Sequence, residues 1–285
     1  MDRTETIRCR LCGAQSHYLF DKRLLGRLKV AYYRCSSCES QQTEVPTWLD
    51  EAYAIPGVHI DVGGGSRTLK NWLGASTLLS RLNFPKTGLA VDFGAASGLF
   101  ARLMRDLGYD FFSYDKYARP AFTSYYLIDD FAQVRPNLIT AFEVFEHLPE
   151  PKQTLELILS AGAELILFTT WFCDGQNEDW IYYLPECGQH VFFYSERSIR
   201  EFADRFGYDM TISHFFMILA KRDAFDTRQR ETIYDFSLNS LRQVAEATAE
   251  TVGSVIMGNQ YIERDLAVAR ARFERELKDD LARTL

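Results

Sequence analysis

The sequence predicts an α/β fold with a mostly parallel, seven-stranded sheet, a small cysteine-rich module before it and a helical tail after it. Three observations support this. Apolar strand patterns alternate with helical patterns between residues 89 and 206, two strand patterns stand side by side at the end of that region, and the residues after Asp226 follow a helical period. Alternating strands and helices are typical of a parallel sheet with helices on both faces.

The predicted elements follow in chain order. Strands are expected at residues 89–91, 111–114, 125–128, 138–144, 165–168, 210–214 and 216–220, and helices at residues 66–82, 99–107, 153–159 and 195–206. Since no helix separates the last two strands, we expect them to form an antiparallel hairpin at one end of the sheet. In the tail, apolar residues recur on one helical stripe, and Gly258-Asn259 is expected to divide the tail into two helices; the stripe comprises Ile262, Leu266, Ala269, Phe273, Leu277 and Leu281.

These patterns divide the chain into three expected parts. Residues 1–45 hold two cysteine pairs and one predicted hairpin at residues 20–33, residues 46–225 form the α/β domain, and residues 226–285 form the helical tail. The apolar stripe of the tail either packs on its own domain or forms a contact with a second copy or a partner protein.

Composition and charge narrow the class of protein. The chain has 285 residues, of which 47% are hydrophobic and 25% charged, as in soluble globular proteins and unlike disordered ones. The formal net charge of −7 argues against a nucleic-acid partner, because proteins that bind nucleic acids usually carry a basic surface. No apolar run approaches the roughly 18 residues of a membrane span, and the start has no apolar leader, so we expect a cytoplasmic protein without a membrane partner.

A loop of small residues follows the first strand of the α/β domain. The strand runs into Asp92-Phe93-Gly94-Ala95-Ala96-Ser97-Gly98, and a helical pattern begins directly afterwards. Small residues let a ligand approach the backbone closely, and a helix N-terminus offers N–H groups and a positive dipole end. About 20 residues later the second strand ends in Asp115, where a carboxylate can accept hydrogen bonds from ribose hydroxyls. The order of strand, loop, helix, strand and acid predicts a nucleoside-binding site.

A second glycine run, Ile60-Asp61-Val62-Gly63-Gly64-Gly65-Ser66, also follows a strand-like segment. No Asp or Glu lies between Asp61 and Asp92, so the run lacks an acid for a ribose. We interpret it as a linker turn, with a segment that covers the cofactor or substrate as the alternative.

Two motifs carry a family resemblance. Residues 91–98 resemble the first motif of class I S-adenosylmethionine-dependent methyltransferases, with Ala96 where the middle glycine usually stands, and residues 139–151 are similar to their later motif. The resemblance implies a Rossmann-like fold and S-adenosylmethionine as cofactor. It places Gly94, Ala96 and Gly98 around the methionine part, Asp115 on the ribose, and Asp129 or Asp130 near the adenine amino group. Asp92 and Glu143, which stand within the two motifs, complete the expected cofactor-binding set.

Two histidines are candidate catalytic bases. His147 follows the fourth strand, where open α/β sheets place their ligands, and His190 lies in an aromatic-rich segment before the helix at residues 195–206. A positioned base contributes roughly 10²–10⁴-fold to a reaction of this kind. Each histidine could instead have a structural role, His147 in a hydrogen bond at the strand end and His190 as a partly buried loop residue. Residues 174–180 are either a mobile lid or a solvated loop.

The four paired cysteines predict a structural zinc site. Cys9 and Cys12 form one CxxC pair and Cys35 and Cys38 the other, with 22 residues between the pairs. Four thiolates close the tetrahedral shell of Zn²⁺ and leave no open position, which is typical of a site that folds a small module such as a zinc ribbon. Redox or iron–sulfur chemistry is the alternative.

A zinc ribbon before such a domain also resembles sugar C-methyltransferases of nucleotide-sugar pathways. In those enzymes an acid–His pair stands where this chain has Gln189-His190. Because abstraction of a carbon-bound proton needs a well-oriented base, we expect O-methylation of a small polar acceptor, such as a sugar or glycan intermediate. Two alternatives are a nucleic-acid or protein methyltransferase that docks through its zinc ribbon, and a non-catalytic module that keeps the cofactor fold.

Overall fold

The computed structural model describes residues 5–54 and 62–258, and residues 264, 265, 267, 268, 270, 271 and 275 of the tail. The chain groups into two compact units. The first unit comprises Met1–Gly65, Ala141–Thr211 and Met217–Phe225; the second comprises Ser66–Thr140, Ile212–Phe216 and Asp226–Leu285. No helix among the described residues is both long enough and apolar enough to cross a membrane.

One sheet contains the cysteine-rich segment. Its strands are β1 (Thr6–Arg8), β2 (Gln15–Leu24), β3 (Leu28–Cys35), β4 (Gln41–Thr43) and β9 (Phe192–Phe193), in the order β1-β2-β3-β4-β9. All neighbours in this sheet are antiparallel, and β2 and β3 confirm the hairpin predicted at residues 20–33. Gln41 pairs with Phe193, so the segment with the cysteines shares a sheet with the strand that follows His190.

The second sheet forms the α/β part. Its strands are β5 (Ala90–Phe93), β6 (Phe111–Tyr114), β7 (Leu138–Phe142), β8 (Leu165–Thr169), β10 (Tyr208–Ile212) and β11 (Met217–Lys221), in the order β10-β11-β8-β7-β5-β6. β5 is parallel to both β6 and β7, and β11 is antiparallel to β8. The interior strands are almost wholly apolar, as expected for a sheet that is covered on both faces.

The prediction of seven strands is wrong by one, since this sheet has six strands in the described part of the chain. Residues 125–128 make a single parallel bridge, between Leu127 and Ser113. Their extended stretch is cut short on both sides. Before it, the N–H of Tyr126 closes a turn on the carbonyl of Thr123, and after it, Asp130 caps a short 3₁₀ turn.

Six α-helices lie among the described residues between 49 and 258: α1 (Leu49–Ala54), α2 (Gly64–Arg81), α3 (Leu99–Asp106), α4 (Pro151–Ser160), α5 (Glu196–Asp204) and α6 (Thr227–Gly258). Their ends follow local chemistry. Pro151 occupies the first position of α4, where no N–H is needed, and the Ser195 hydroxyl accepts a hydrogen bond from the N–H of Ser198 at 3.0 Å.

Two predictions from sequence fall partly outside the described residues. Gly64, Gly65 and Ser66 form the first turn of α2, so this half of the second glycine run is helical, while residues 60 and 61 are not described. α6 is described as far as Gly258 and residues 259–263 are not described, so the predicted division of the tail stays a prediction; the six residues of the expected tail stripe also lie outside the described set.

Each unit has its own aromatic core. In the first unit Tyr32, Tyr183 and Phe193 are fully buried and meet with ring centroids 4.9–6.0 Å apart. In the second unit Phe236 of α6 stacks on Phe216 at 6.0 Å. Aromatic side chains of this size bury large apolar areas, so each unit has the material for a stable core.

Candidate active site and cysteine cluster

The glycine loop between β5 and α3 has an unusual backbone. Gly94, Ala96 and Gly98 have φ angles of 75°, 47° and 77°, a region that favours glycine. A Cβ atom at Gly98 would lie 2.3 Å from the Oγ1 atom of Thr123. Gly98 is therefore required by the loop itself, because the segment that carries Thr123 packs directly against it.

Asp115 lies at the carboxyl end of β6 and faces this loop. One carboxylate oxygen accepts a hydrogen bond from the N–H of Ala96 at 2.8 Å, and the other accepts from the N–H groups of Tyr117 and Ala118 at 2.8 and 2.7 Å. A carboxylate has about four lone-pair sites, so these three bonds leave capacity for about one ribose hydroxyl. The structure thus brings the predicted ribose acid and the predicted methionine loop together.

Asp92 is buried on β5 and accepts a hydrogen bond from the Thr140 hydroxyl of β7 at 2.7 Å. Burial raises the pKa of Asp92 to about 7; the bond from Thr140 opposes the rise and the charge of Asp115 adds to it. The contact ties two neighbouring strands together next to the glycine loop.

The two neighbouring acids predicted near the adenine differ in their surroundings. Asp130 caps the 3₁₀ turn at Phe131–Gln133: its carboxylate accepts hydrogen bonds from the N–H of Ala132 at 3.0 Å and from the Gln133 side chain at 2.7 Å. Asp129 is exposed and takes no part in that cap. The geometry therefore favours Asp129 as the ligand-facing acid.

Glu143 directly follows β7 and has a positive φ of 55°. Its N–H donates to the Thr169 hydroxyl at 2.8 Å, which holds this conformation. A side-chain-bearing residue in left-handed backbone costs of order 1–3 kcal/mol, and such residues cluster at functional sites.

The two predicted histidines are neighbours in the first unit. Their ring centroids lie 4.8 Å apart at an interplanar angle of 85°. Nδ1 of His147 contacts the carbonyl oxygen of Gln189 at 3.2 Å, and Nδ1 of His190 contacts that of Tyr182 at 2.7 Å. A carbonyl only accepts, so each Nδ1 carries a proton and donates it to the carbonyl that it faces. Burial lowers the pKa of His147, which keeps its ring neutral near pH 7.

Aromatic rings surround this pair. The Tyr182 ring lies 4.6 Å from that of His190 and stacks on the indole of Trp171 at 5.0 Å with an angle of 7°. Trp171 is 50% exposed, so one large ring face of this group is open to solvent. An exposed aromatic face next to polar groups is typical of a small-molecule site.

The four cysteines predicted to bind zinc form one cluster. Sγ of Cys9 lies 3.7 Å from Sγ of Cys38, and Sγ of Cys12 lies 3.4 Å from that of Cys35, too far apart for disulfides. A tetrahedral site with Zn–S bonds of about 2.3 Å has sulfur atoms about 3.8 Å apart. The N–H groups of Ser37 and Cys38 point at Sγ of Cys35 at 3.4 Å, which fixes the position of that sulfur in the cluster.

Arg10, between the first two cysteines, links the cluster to the histidine segments. Its guanidinium donates to the carbonyl oxygens of Pro149 at 3.3 Å and Val191 at 2.5 Å. Pro149 lies two residues after His147, and Val191 directly follows His190. The cysteine module therefore braces both segments that carry the predicted bases.

A comparison with protein families identifies the fold. Residues 54–212, more than half of the chain, match the family described as a methyltransferase domain. The chain belongs to this methyltransferase family. The prediction of an S-adenosylmethionine-dependent methyltransferase is confirmed, and the motifs on which the prediction rested lie within the matched residues. No curated protein matches the chain.

Several solved methyltransferases are similar in structure. Magnesium protoporphyrin IX methyltransferase from Synechocystis PCC 6803, with bound SAH, is 15% identical, with 61% of this chain and 94% of that chain covered and a TM-score of 0.41. The plantazolicin methyltransferase BpumL in complex with SAH is 13% identical, with coverages of 70% and 89% and a TM-score of 0.49. For 1,6-didemethyltoxoflavin-N1-methyltransferase from Burkholderia thailandensis the identity is 14%, the coverages are 62% and 86%, and the TM-score is 0.42.

Sequence reasoning missed two side chains that contact the segments of the candidate histidines. Trp171 stacks on Tyr182, and Arg10 donates to the carbonyls of Pro149 and Val191. An aromatic residue just beyond the carboxyl end of β8 is a signal that could have indicated Trp171. No sequence signal indicated Arg10, because its acceptors are backbone carbonyls far away in the chain. A cavity of about 630 Å³ in the second unit is lined by residues of α2, α6 and their neighbours, and none of the predicted site residues lines it.

Proposed function

We propose that this methyltransferase transfers the methyl group of S-adenosylmethionine to a hydroxyl of a small polar acceptor, such as a sugar or glycan intermediate. The observation that carries the proposal is the pair of adjacent histidines, of which His147 has a pKa lowered by burial, beside a half-exposed aromatic stack. In the reaction the acceptor oxygen forms a bond to the methyl carbon while the carbon–sulfur bond breaks. S-adenosylhomocysteine leaves with the electron pair, and the hydroxyl proton is removed at the histidine pair.

The cofactor site is proposed at the glycine loop of the second unit. Gly94, Ala96 and Gly98 leave the backbone accessible to the methionine part, and Asp115 accepts a hydrogen bond from a ribose hydroxyl. Asp129 accepts from the adenine amino group, since its neighbour Asp130 is engaged as a cap. This division of roles follows from the hydrogen bonds that each acid makes within the second unit.

The acceptor site is proposed at Trp171 and the two histidines of the first unit. A pyranose ring has a flat apolar face and a rim of hydroxyls. Its apolar face fits on the exposed indole of Trp171, while a hydroxyl at the rim can donate to an Nε2 lone pair. A sugar or a comparable polyhydroxylated molecule satisfies both groups together.

O-methylation is favoured over C-methylation by the surroundings of Gln189. The side-chain amide of Gln189 donates to the carbonyl of Ala52 at 2.9 Å. The backbone carbonyl of Gln189 accepts a hydrogen bond from Nδ1 of His147. An amide cannot take a proton, so the position that holds an acid in the similar C-methyltransferases offers no base here. A hydroxyl is far more acidic than a carbon-bound hydrogen and is deprotonated without that second base.

We also propose that the cysteine cluster binds a structural Zn²⁺ ion. The support is the set of four sulfur atoms, whose distances approach those of a tetrahedral site, and the backbone N–H groups directed at Cys35. Burial raises the pKa of Cys12 to about 11 when no cation is bound, and Zn²⁺ reverses this by holding the sulfur as a thiolate. The ion contributes folding energy and takes no part in methyl transfer.

The cofactor proposal is tested with two neighbouring substitutions. Asp129→Asn is expected to weaken S-adenosylmethionine binding in isothermal titration calorimetry about tenfold, which corresponds to one lost charge-assisted hydrogen bond. Asp130→Asn is the matched control, expected to lower the thermal midpoint through its cap and to leave the affinity within about twofold. Failure of the wild-type protein to bind S-adenosylmethionine would overturn the proposal.

The acceptor proposal is tested by release of S-adenosylhomocysteine with a panel of nucleotide-sugars and glycans. With an acceptor found in this way, Trp171→Ala is expected to raise KM at least tenfold while cofactor affinity is unchanged. Ile181→Ala is a control, because this residue is also exposed in the same unit but lies outside the aromatic stack. Equal effects of the two substitutions would argue against Trp171 as the platform.

A further inference from the structure

Glu146, His147 and His190 form a cluster of potential metal-ligating groups separate from the cysteines. One ligand atom from each, a carboxylate oxygen and two imidazole nitrogens, lies within 4.8 Å of the others. Nε2 of His147 is 4.0 Å from a carboxylate oxygen of Glu146. Bonds of about 2.1 Å to one ion place such atoms roughly 3–4 Å apart, so a small inward movement of the side chains is enough to bind an ion.

The surroundings of the two histidines match those of metal ligands. Histidines that bind metals almost always donate the other ring N–H to a carbonyl, a carboxylate or water, which fixes the ring and directs the lone pair at the ion. Here both Nδ1 atoms face backbone carbonyls, those of Gln189 and Tyr182. A single base would need one such ring, whereas this site holds two, and the carboxylate-bearing Glu146 directly precedes the first of them in the chain.

The backbone holds the ligand-bearing segments in register. The N–H of Val191, next to His190, donates to the carbonyl of Glu146 at 2.9 Å. Glu146 is fully buried and His190 is 5% exposed, while the His147 side chain is 26% exposed, so the cluster is open on the side of His147. Two protein-filled sides and one open side are typical of a metal site that keeps a position for substrate.

We propose that Glu146, His147 and His190 bind a divalent metal ion that takes the acceptor hydroxyl as a further ligand. The role of the ion in the reaction rests on the proposed function, whereas its binding does not. A hydroxyl bound to the ion loses its proton to solvent water at lower pH than an unbound one, and the resulting alkoxide forms the oxygen–methyl bond as the carbon–sulfur bond breaks. In this form of the proposed methyl transfer the histidines are ligands of the ion in place of bases, and the hydroxyl proton passes to solvent water.

The two metal-binding clusters can be separated by ligand chemistry. Thiolates select soft ions such as Zn²⁺, while a site with a carboxylate and imidazoles also accepts harder ions such as Mn²⁺. Mn²⁺ is therefore a suitable probe for the Glu146 cluster in protein that keeps zinc on its cysteines.

The experiment measures Mn²⁺ binding to the full chain by electron paramagnetic resonance, after dialysis against EDTA and confirmation of one zinc per chain. We expect one Mn²⁺ per chain, and a dissociation constant raised at least tenfold in His147→Asn and His190→Asn. His17→Ala is the control, because this exposed histidine lies on β2 outside the cluster. Circular dichroism and S-adenosylmethionine affinity show that the variants are folded. Glu146→Gln, which keeps the size of the side chain, adds a test of the third ligand.

The outcomes distinguish this inference from the proposed function. Absence of Mn²⁺ binding to the wild-type protein, or equal binding by both histidine variants, overturns the metal site. Methyl transfer at the same rate with and without EDTA and Mn²⁺ overturns the role of the ion but leaves the methyltransferase proposal intact. Saturable Mn²⁺ binding that the histidine variants lose supports the site even where no acceptor is methylated, and in that case it is the proposed function that fails.

Discussion

Ala96 and Gly98 show how single residues shape the cofactor loop. Ala96 has a side chain where φ is 47°, and Gly98 has none where φ is 77° and a Cβ atom would lie 2.3 Å from the Thr123 hydroxyl oxygen. Position 96 tolerates a methyl group at some conformational cost, while at position 98 the neighbouring Thr123 leaves no space for one. The departure from the usual glycine pattern at residue 96 is therefore compatible with an intact loop.

This contrast predicts that two small substitutions in the loop differ in their effect on stability. Ala96→Gly is expected to leave the free energy of unfolding within about 1 kcal/mol and to retain cofactor affinity, because relief of strain offsets the added chain entropy. Gly98→Ala is expected to destabilise by about 2 kcal/mol or more and to weaken S-adenosylmethionine binding, because the loop must move away from Thr123. Urea denaturation and calorimetry measure both. Equal stabilities of the two variants would contradict the argument.

Asp92 predicts a pH dependence of stability. Its pKa is raised to about 7 by burial, above the value of an unfolded aspartate, so the folded state binds more protons between about pH 4 and 7. Its contribution to stability is therefore lost as pH rises through this window. Relative to Asp92→Asn, which retains an acceptor for Thr140, the wild-type protein is expected to lose a few kcal/mol of unfolding free energy from pH 5 to 8.

Urea denaturation at several pH values measures this difference. Asp179→Asn, at an exposed loop aspartate, is the control and is expected to follow the wild-type profile. Parallel stability profiles of the wild-type protein and Asp92→Asn would contradict the prediction, because they would show that Asp92 binds its proton equally well in the folded and unfolded states.

At the scale of elements, the cysteine module is part of the sheet that ends in β9. Strand β4 pairs with β9, and the Ser195 hydroxyl that caps α5 also donates to the carbonyl of Cys38 at 2.5 Å. Arg10 adds bonds to the carbonyls next to both histidines. The module therefore positions the segments of the candidate acceptor site as well as stabilising its own fold.

Arg10 provides the test of this positioning role. Burial lowers the pKa of Arg10 to about 10, so it remains charged at neutral pH, and its planar fork reaches several carbonyls that a lysine cannot reach together. Arg10→Lys is expected to cost about 1–3 kcal/mol of stability and to lower kcat at least fivefold with little change in cofactor affinity. Arg8→Lys is the control, since the guanidinium of Arg8 donates to a carbonyl close by in the chain, that of Gly13. Equal kcat values in the two variants would argue against the brace.

At the scale of the whole molecule, the tail takes part in the second unit. Asp265 accepts hydrogen bonds from the fully buried guanidinium of Arg105 at 2.8 and 2.9 Å and from Arg102 at 2.5 Å. Burial opposes ionisation of Asp265, but the bonds from Arg105, Tyr126 and Arg102 outweigh it and lower its pKa to about 2. These contacts support packing of the tail on its own unit, one of the roles that the sequence left open.

Asp265→Ala is therefore expected to destabilise the protein by about 2–3 kcal/mol, because the buried Arg105 loses two charge-assisted hydrogen bonds and keeps Asp110 as a carboxylate partner. The control Glu246→Ala removes an exposed ion pair with Arg81 and is expected to cost less than about 1 kcal/mol. Urea denaturation measures both. If Asp265→Ala lowers the free energy of unfolding no more than the control does, the contact of the tail with Arg105 does not stabilise the protein.

The sequence by itself determined the alternation of strands and helices, the glycine loop with Asp115, and the two cysteine pairs. Each of these depends on residues close together in the chain or on a fixed periodicity, so local physics is sufficient to predict them. It overestimated the strand at residues 125–128, because the turn at Thr123 and the cap at Asp130 limit that strand from outside its own pattern.

Tertiary structure alone decided which groups meet. His147 contacts His190, and Glu146 is buried beside them. Arg10 bonds to Pro149 and Val191. The partners in the contacts of His147 and of Arg10 lie more than 40 positions apart in the chain. No periodicity encodes such contacts, because they arise from the packing of elements whose spacing in the chain is arbitrary. The kinds of chemistry present can therefore be predicted from the sequence, and their arrangement into a site depends on the fold.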